Sequence, residues 1–202
     1  MSTTNKYGET IRKVEDYLSE NLTPHRIRHI KGVAVEARRL ACAYGCDMRK
    51  AYLAGYLHDC TKYFTDEENE RYIGKYSIKV SDGERSLGNA LIHSKTGAYF
   101  AGERFGVKDK EIFDAIYYHT VGRPHMTLLE KILFVADYIE PGRDQDSFFP
   151  LFKLRKLAYR DLDLAVFEIL ISTMMYLNSL PDTYVCPETQ KTLEYYKSLY
   201  IC

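Results

Sequence analysis

The chain has no excess of charge of either sign. Its 202 residues carry 28 Lys plus Arg and 28 Asp plus Glu. Nucleic acids and anionic membranes attract proteins through clustered positive charge, so the net charge predicts no general attraction to either. We therefore expect no nucleic-acid partner and no membrane partner, and any anion site must be local.

Cysteine is scarce and has no paired spacing. The five cysteines are Cys42, Cys46, Cys60, Cys186 and Cys202. An odd number without paired spacing excludes a disulfide framework, and no second pair joins Cys42 and Cys46 to complete a zinc site. The first five residues are polar and do not resemble a signal sequence. These features predict a reduced, cytoplasmic protein.

Long apolar runs, repeats and low-complexity segments are also missing. No apolar run reaches the ~20 residues needed to span a bilayer. The one strand-like stretch, 77–80, has no partner. Amphipathic helix patterns cover most of the rest, and 46% hydrophobic residues suffice for one sizeable core. We predict one all-α domain, in which the broadly apolar segment 162–180 is buried on several sides or forms a homodimer contact.

A mostly apolar run, 52–57, ends abruptly in His58 and Asp59. A neutral imidazole beside a carboxylate can chelate a transition metal, and the second carboxylate oxygen can bridge to another ion. Alone, such a pair is more often a satisfied core histidine beside a capping aspartate. However, four further polar residues stand at or near the ends of apolar, helix-like segments: His29, His93, His119 and Asp137. Polar side chains directed at a core are costly unless something pairs them.

The order of these residues resembles the HD-domain metal-dependent phosphohydrolases. Four sequence words narrow the match: RIRH at 26–29, HDCTK at 58–62, YHTVGRP at 118–124 and ADYIEPGR at 136–143. Together they are similar to the YqeK branch, the bacterial symmetrical diadenosine tetraphosphate hydrolases, with a weaker echo in CPET at 186–189. The resemblance implies a single HD-type helical bundle over residues 1–202. Its motif core spans about 24–145, and C-terminal helices at 148–202 complete the domain.

The resemblance also implies a di-iron centre. The metal ligands it implies are His29, His58, Asp59, His93, His119 and Asp137. If four of them, His29, His58, Asp59 and Asp137, hold one ion, then His93 and His119 remain for a second, and Asp59 is the natural bridge. The residue types alone fit iron, manganese, cobalt or zinc.

A tetraphosphate substrate needs cations beyond the metals. Lys62, Arg123 and Arg143 stand next to ligands in sequence, and arginine forks match phosphate oxygens. We assign catalytic roles to His58, Asp59, Lys62 and Arg143. We assign substrate contacts to Arg26, Thr61, Lys62, His93, His119, Thr120, Arg123 and Arg143. The resemblance implies that a hydroxide bridging the two ions attacks phosphorus and that two ADP molecules are released.

Two alternatives remain open at this point. The chain could be an HD phosphohydrolase of other nucleotides, such as nucleoside di- or triphosphates or cyclic nucleotides. It could also be a non-catalytic nucleotide-sensing module. In each case the ligand is a dinucleoside polyphosphate or a simpler nucleotide such as a nucleoside diphosphate. His25 and His125 stand in turn-like contexts outside the matched words, and no role is assigned to them.

Overall fold

The structure, a computed structural model, describes residues 3–143, 149–181 and 183–200, with only the backbone of 3–6. In this part of the chain the backbone forms eleven α-helices and no strand, which confirms the all-α prediction. They are α1 (Thr3–Asn21), α2 (Pro24–Tyr44), α3 (Met48–Leu57), α4 (Asp66–Tyr76), α5 (Asp82–Ser86), α6 (Asn89–Phe105), α7 (Lys110–Tyr118), α8 (Leu128–Ile139), α9 (Leu151–Ala158), α10 (Leu162–Ser179) and α11 (Pro187–Ser198). The strand-like stretch 77–80 is the connection between α4 and α5.

Local sequence signals set the ends of the helices that matter most. Thr23 caps α2 by accepting a hydrogen bond from the Arg26 amide, and Gly45 ends the helix in the left-handed conformation. Asp47 caps α3 by accepting from the amides of Arg49 and Lys50. The helices therefore begin and end where the chain must turn toward or away from the core.

The core lies between α2, α3, α6, α7 and α8. Helix α2 packs against both α3 and α8, α7 packs against α3, α6 and α8, and the facing side chains are fully buried. Helices α2 and α3 approach closely at Gly55 of α3, where an added Cβ would lie 2.5 Å from the Cα of Ala34 in α2. These five helices are the ones that carry the predicted metal ligands.

Helix α10 packs against α8, α9 and α11, and it buries residues from Leu162 to Ser172. By length and composition alone it is apolar enough to cross a membrane, a weak criterion that core helices of soluble proteins also meet. Toward its C-terminal end Met175 and Tyr176 are exposed. The expected boundary between motif core and C-terminal helices, at 145–148, lies outside the described residues, as do residues 201 and 202.

We expect Gly55→Ala to destabilise the protein, because its new methyl group forces α2 and α3 apart. Overpacking of this kind costs about 1–3 kcal/mol, more than the ~1 kcal/mol of helix propensity that alanine gains over glycine. The measurement is a thermal melt followed by circular dichroism. The control is Gly74→Ala in α4, where an added Cβ meets nothing within 4 Å. Equal melting temperatures for the two variants would contradict the close contact between α2 and α3.

Candidate metal centre

All six predicted metal ligands converge on one point in the core. Their donor atoms form three overlapping groups, and the atoms in each group lie within 4.8 Å of one another. The groups are His29, His58 and Asp59; Asp59, His93 and His119; and His58, His119 and Asp137. His58, Asp59 and His119 each belong to two of them. Asp59 has its two oxygens beside different histidines, since Oδ1 lies 3.1 Å from His93 Nε2 and Oδ2 lies 3.5 Å from His58 Nε2. This is the arrangement expected for a bridging carboxylate. The structure therefore brings together residues separated by more than a hundred positions in sequence.

Each ligand is delivered by a helix or by a helix end. His29 and His93 lie within α2 and α6, and His58 and His119 cap the C-terminal ends of α3 and α7. Asp137 lies in the last turn of α8. Since these helices pack against one another, the ligand positions follow from the packing of the core.

Three of the four imidazole rings are oriented in the same way. The Nδ1 atoms of His58, His93 and His119 each lie 2.7 Å from a backbone carbonyl oxygen of their own helix, those of Gly55, Asn89 and Ile116. Because a carbonyl oxygen only accepts, the proton of each ring is on Nδ1. The Nε2 lone pairs are therefore available to the centre of the cluster.

Several acceptor atoms crowd this centre. The Nε2 atoms of His93 and His119 are 3.2 Å apart, and Asp59 Oδ1 lies 3.1 Å from His93 Nε2. His58 Nε2 is buried and has no hydrogen-bond partner among the described residues. Lone pairs and carboxylate oxygens at these distances repel one another unless a cation lies among them. Because imidazole and carboxylate are ligands of transition metals, these residues fit a metal centre.

The protonation states are those that metal binding needs. Burial, followed by the nearby His58 and His93 rings, lowers the pKa of His119 to about 3. Burial also lowers the pKa of His58. Burial opposes ionisation of Asp59, but the basic groups around it, Lys62 among them, outweigh it and hold the pKa of Asp59 well below its usual range. Neutral imidazoles and ionised carboxylates are the metal-binding forms of these side chains.

His29 differs from the other three rings because carboxylates lie at both of its nitrogens. Nε2 is 3.0 Å from Asp137 Oδ1, and Nδ1 is 3.3 Å from Oε1 of the buried Glu140. Burial opposes protonation of the ring, but the bonds to Asp137 and Glu140 raise the pKa of His29. Sequence reasoning did not select Glu140. The available signal was its place in the matched word ADYIEPGR, directly before Pro141.

Four of the predicted cationic or hydroxyl side chains lie beside the cluster. Arg26 Nη1 is 2.7 Å from Asp59 Oδ2, and Arg143 Nη2 is 3.6 Å from Asp137 Oδ1. Lys62 Nζ is 3.3 Å from His93 Nε2. Thr120 Oγ1 is 3.4 Å from His119 Nε2. These positions suit side chains that contact a ligand held at the centre.

The geometry corrects the expectation for Thr61. This side chain is fully buried, and its hydroxyl donates to the carbonyl oxygen of His93 at 2.8 Å. A group in this position cannot reach a substrate outside the core. Thr61 instead ties the HDCTK turn to the backbone of α6 at a metal ligand.

Arg123 also lies elsewhere than expected. Its Nε and Nη2 atoms donate to the two carboxylate oxygens of buried Glu130, at 2.7 and 2.6 Å, and its guanidinium lies over the ring of Tyr118. A bidentate pair of this kind occupies the fork that phosphate would use. This geometry argues against a direct phosphate contact and favours a structural role, in which Arg123 fixes the loop after His119.

A cavity of about 680 Å³ opens beside the cluster. The basic side chains that line it are His25, Arg26, Arg28 and Arg143, and it also reaches His29 and Glu140. Arg28 and His25 thus face the cavity although sequence reasoning assigned neither of them. His125 is exposed and contacts the ring of Tyr195 of α11 in a tilted arrangement, with ring centroids 4.2 Å apart and planes inclined at 49°.

The chain is similar in sequence and in structure to several known proteins. A sequence model of the family described as "HD domain" matches residues 26–142. A protein of Halalkalibacterium halodurans named "Bis(5'-nucleosyl)-tetraphosphatase, symmetrical" is 40% identical over 84% of this chain and 86% of its own length. A Bacillus subtilis protein of the same name is 39% identical over 83% of this chain and 90% of its own length. A crystal structure from Clostridium acetobutylicum, described as a predicted HD superfamily hydrolase involved in NAD metabolism, is 34% identical with a TM-score of 0.86, over 94% of this chain and 97% of that one.

We expect Asp59→Ala to lose bound metal, because the two oxygens of Asp59 lie beside different histidines, Oδ1 beside His93 and Oδ2 beside His58. Metal bound only by the folded state stabilises it, by about 2.7 kcal/mol at a concentration 100 times the dissociation constant. The variant should therefore gain less melting temperature than wild type when metal is added. His125→Ala is the control and should keep all its metal. Full metal occupancy of Asp59→Ala by elemental analysis would refute the bridging role.

Proposed function

Because the chain belongs to the HD domain family, we infer that it is a metal-dependent phosphohydrolase that cuts diadenosine tetraphosphate symmetrically into two ADP molecules. The observation that carries this inference is the six-residue cluster beside a basic cavity, in a chain whose relatives are named symmetrical tetraphosphatases. The cluster supplies the ligands for metal-dependent hydrolysis. The cavity supplies positive charge for a polyphosphate.

The division of ligands between two ions is part of the proposal. His29, His58, Asp59 and Asp137 hold one ion, while His93, His119 and Asp59 hold the other. We propose iron as the metal, with manganese, cobalt and zinc as the other ions that these ligands accept. Two such ions, when bound, supply a nucleophile at neutral pH and neutralise charge on a transferring phosphoryl group.

The arginines contribute recognition of the phosphate chain. In this structure Arg26 and Arg143 lie against Asp59 and Asp137, whose negative charges they partly offset. If Asp59 and Asp137 held metal ions, their carboxylates would hold Arg26 and Arg143 less tightly. The two guanidinium forks are then free to donate to phosphate oxygens in the cavity, where Arg28 adds a third.

Lys62 and Thr120 act closer to the reacting phosphate. Both lie beside the Nε2 atom of a ligand histidine, His93 and His119 respectively. Burial lowers the pKa of Lys62, while the Asp59 carboxylate opposes that shift. An ammonium group in this position is a point charge for the phosphoryl oxygens, and the Thr120 hydroxyl is a neutral donor.

We also propose how the whole chain is organised. Residues 1–202 form one HD-type domain, with a motif core at about 24–145 completed by helices at 148–202. Buried side chains from α1 to α11 belong to a single hydrophobic cluster, which supports this view.

The protein is cytoplasmic, binds its nucleoside diphosphate product, and has neither nucleic acid nor membrane as a partner. Met175 and Tyr176, exposed on the C-terminal part of α10, are where we expect a homodimer contact.

The direct test is a product analysis. Metal-loaded protein incubated with diadenosine tetraphosphate should give ADP as the sole nucleotide product on anion-exchange chromatography. ATP and AMP in equal amounts would exclude symmetrical cleavage. Faster turnover of nucleoside triphosphates or cyclic nucleotides would indicate a different HD phosphohydrolase, and binding without turnover would indicate a sensing module.

We expect Arg143→Ala and Arg123→Ala to fail in different ways. Arg143 lies beside a metal ligand, so its loss should lower kcat by roughly 10²–10³-fold, as for other donors to a developing charge. Arg123→Ala leaves the buried Glu130 carboxylate unpaired and should mainly lower the melting temperature.

The double variant Arg123→Ala, Glu130→Gln serves as the control for Arg123. Removing the orphaned charge should recover much of the lost melting temperature. If Arg123→Ala melts at the wild-type temperature and has a raised KM, Arg123 does not have the structural role.

A further inference from the structure

We propose that Glu140 is a positioning residue that orients His29 toward its metal ion and holds the Arg143 turn in register with it. The proposal rests on the proposed function in one respect, that the cluster holds metal ions. Glu140 is buried and is not one of the six predicted ligands. We assign it the role of accepting the Nδ1 proton of His29, as backbone carbonyls do for the other three rings.

The two oxygens of Glu140 have two different partners. Oε1 lies 3.3 Å from Nδ1 of His29, and Oε2 accepts the backbone N–H of Gly142 at 2.6 Å. With Nε2 of His29 directed at the cluster, Nδ1 carries a proton and is also a donor. Two donors on separate sides require two acceptor oxygens. A carboxylate supplies them, whereas an amide supplies only one.

His29 therefore depends on a distant part of the chain for its orientation. The other three rings donate Nδ1–H to carbonyls within their own helices, three or four residues earlier. Glu140 follows α8, 111 residues after His29. A carboxylate partner also makes an imidazole a more basic ligand than a neutral carbonyl does. Loss of Glu140 should therefore weaken binding of the ion held by His29 and leave binding of the other ion unchanged.

Gly32 is the residue that leaves room for this carboxylate. It lies three positions after His29 in α2, on the same face of the helix. A Cβ atom at this position would clash with Oε2 of Glu140 and would lie 3.3 Å from its Cδ. Glycine costs helix stability relative to alanine, and here the space that it leaves is filled by Glu140.

The turn that contains Glu140 is stabilised by hydrogen bonds from Arg155. Arg155 of α9 donates to the carbonyl oxygens of Ile139 and Glu140, both at 2.9 Å, and of Arg143 at 3.2 Å. Together with the bond from Gly142 N–H to Glu140, these contacts fix residues 139–143 as one unit. His29 on the metal side and Arg143 on the phosphate side are therefore positioned through the same carboxylate.

The test is a cobalt(II) titration of the metal-free protein followed by optical absorption. In Glu140→Gln we expect one of the two ions to bind 10–100-fold more weakly, the range seen when an outer partner of a metal ligand is removed, while the other ion binds as in wild type. The control is Glu84→Gln, which also alters a buried glutamate, paired with Lys95 at 2.6 Å and with Ser81. It should lower the melting temperature without changing either metal affinity.

A second variant leaves Glu140 chemically intact. Gly32→Ala should displace the carboxylate and weaken the same ion, and adding Glu140→Ala to it should cause little further loss, because both changes remove one interaction. Wild-type affinity for both ions in Gly32→Ala or in Glu140→Gln overturns the proposal, and so does equal weakening of both ions. Since the titration involves no hydrolysis, a wild-type protein that binds two ions but leaves diadenosine tetraphosphate intact would contradict the proposed function and not this one.

Discussion

The structure depends on one electrostatic constraint, which is the convergence of imidazole lone pairs and two carboxylates inside a helical core. His58, His93 and His119 commit their Nδ1 protons to backbone carbonyls, so their Nε2 atoms have nothing to donate to Asp59 or to one another. An uncompensated charge in a core costs several kcal/mol. On the proposed function, cations share the centre with these acceptor atoms, and bound metal would then also contribute to folding.

The same constraint explains why the basic residues lie where they do. Arg26, Lys62 and Arg143 lie within about 4 Å of cluster residues and partly offset the acceptor atoms without entering the core. Arg26 and Arg143 also line the cavity beside the cluster. On the proposed function, the side chains that compensate charge in the metal-free site are also the ones that recognise phosphate in the metal-loaded site. The arginines that line the cavity would supply the positive charge that a polyphosphate needs.

The six side chains that the resemblance implies as ligands do converge, and each of them stands at or near the end of an apolar, helix-like segment. His58, His119 and Asp137 follow apolar stripes that must be buried, so their own direction is set by helical periodicity. Thr61, Arg123 and Glu140 are different, because their roles depend on partners distant in sequence or on a choice between neighbouring acceptors. The Thr61 hydroxyl donates to the backbone of α6, Arg123 pairs with Glu130, and Glu140 contacts His29 of α2. These partners are set by how the helices pack, and the local sequence around each residue does not predict them.

The central claim is that this cluster binds two metal ions with Asp59 between them. Anomalous X-ray diffraction from crystals of the metal-loaded protein, collected at the absorption edge of the bound metal, tests it most directly. The account predicts two anomalous peaks roughly 3.5–4 Å apart, as in other two-metal hydrolytic sites, within the group formed by His29, His58, Asp59, His93, His119 and Asp137. A single peak, or peaks bound by other side chains, would contradict it.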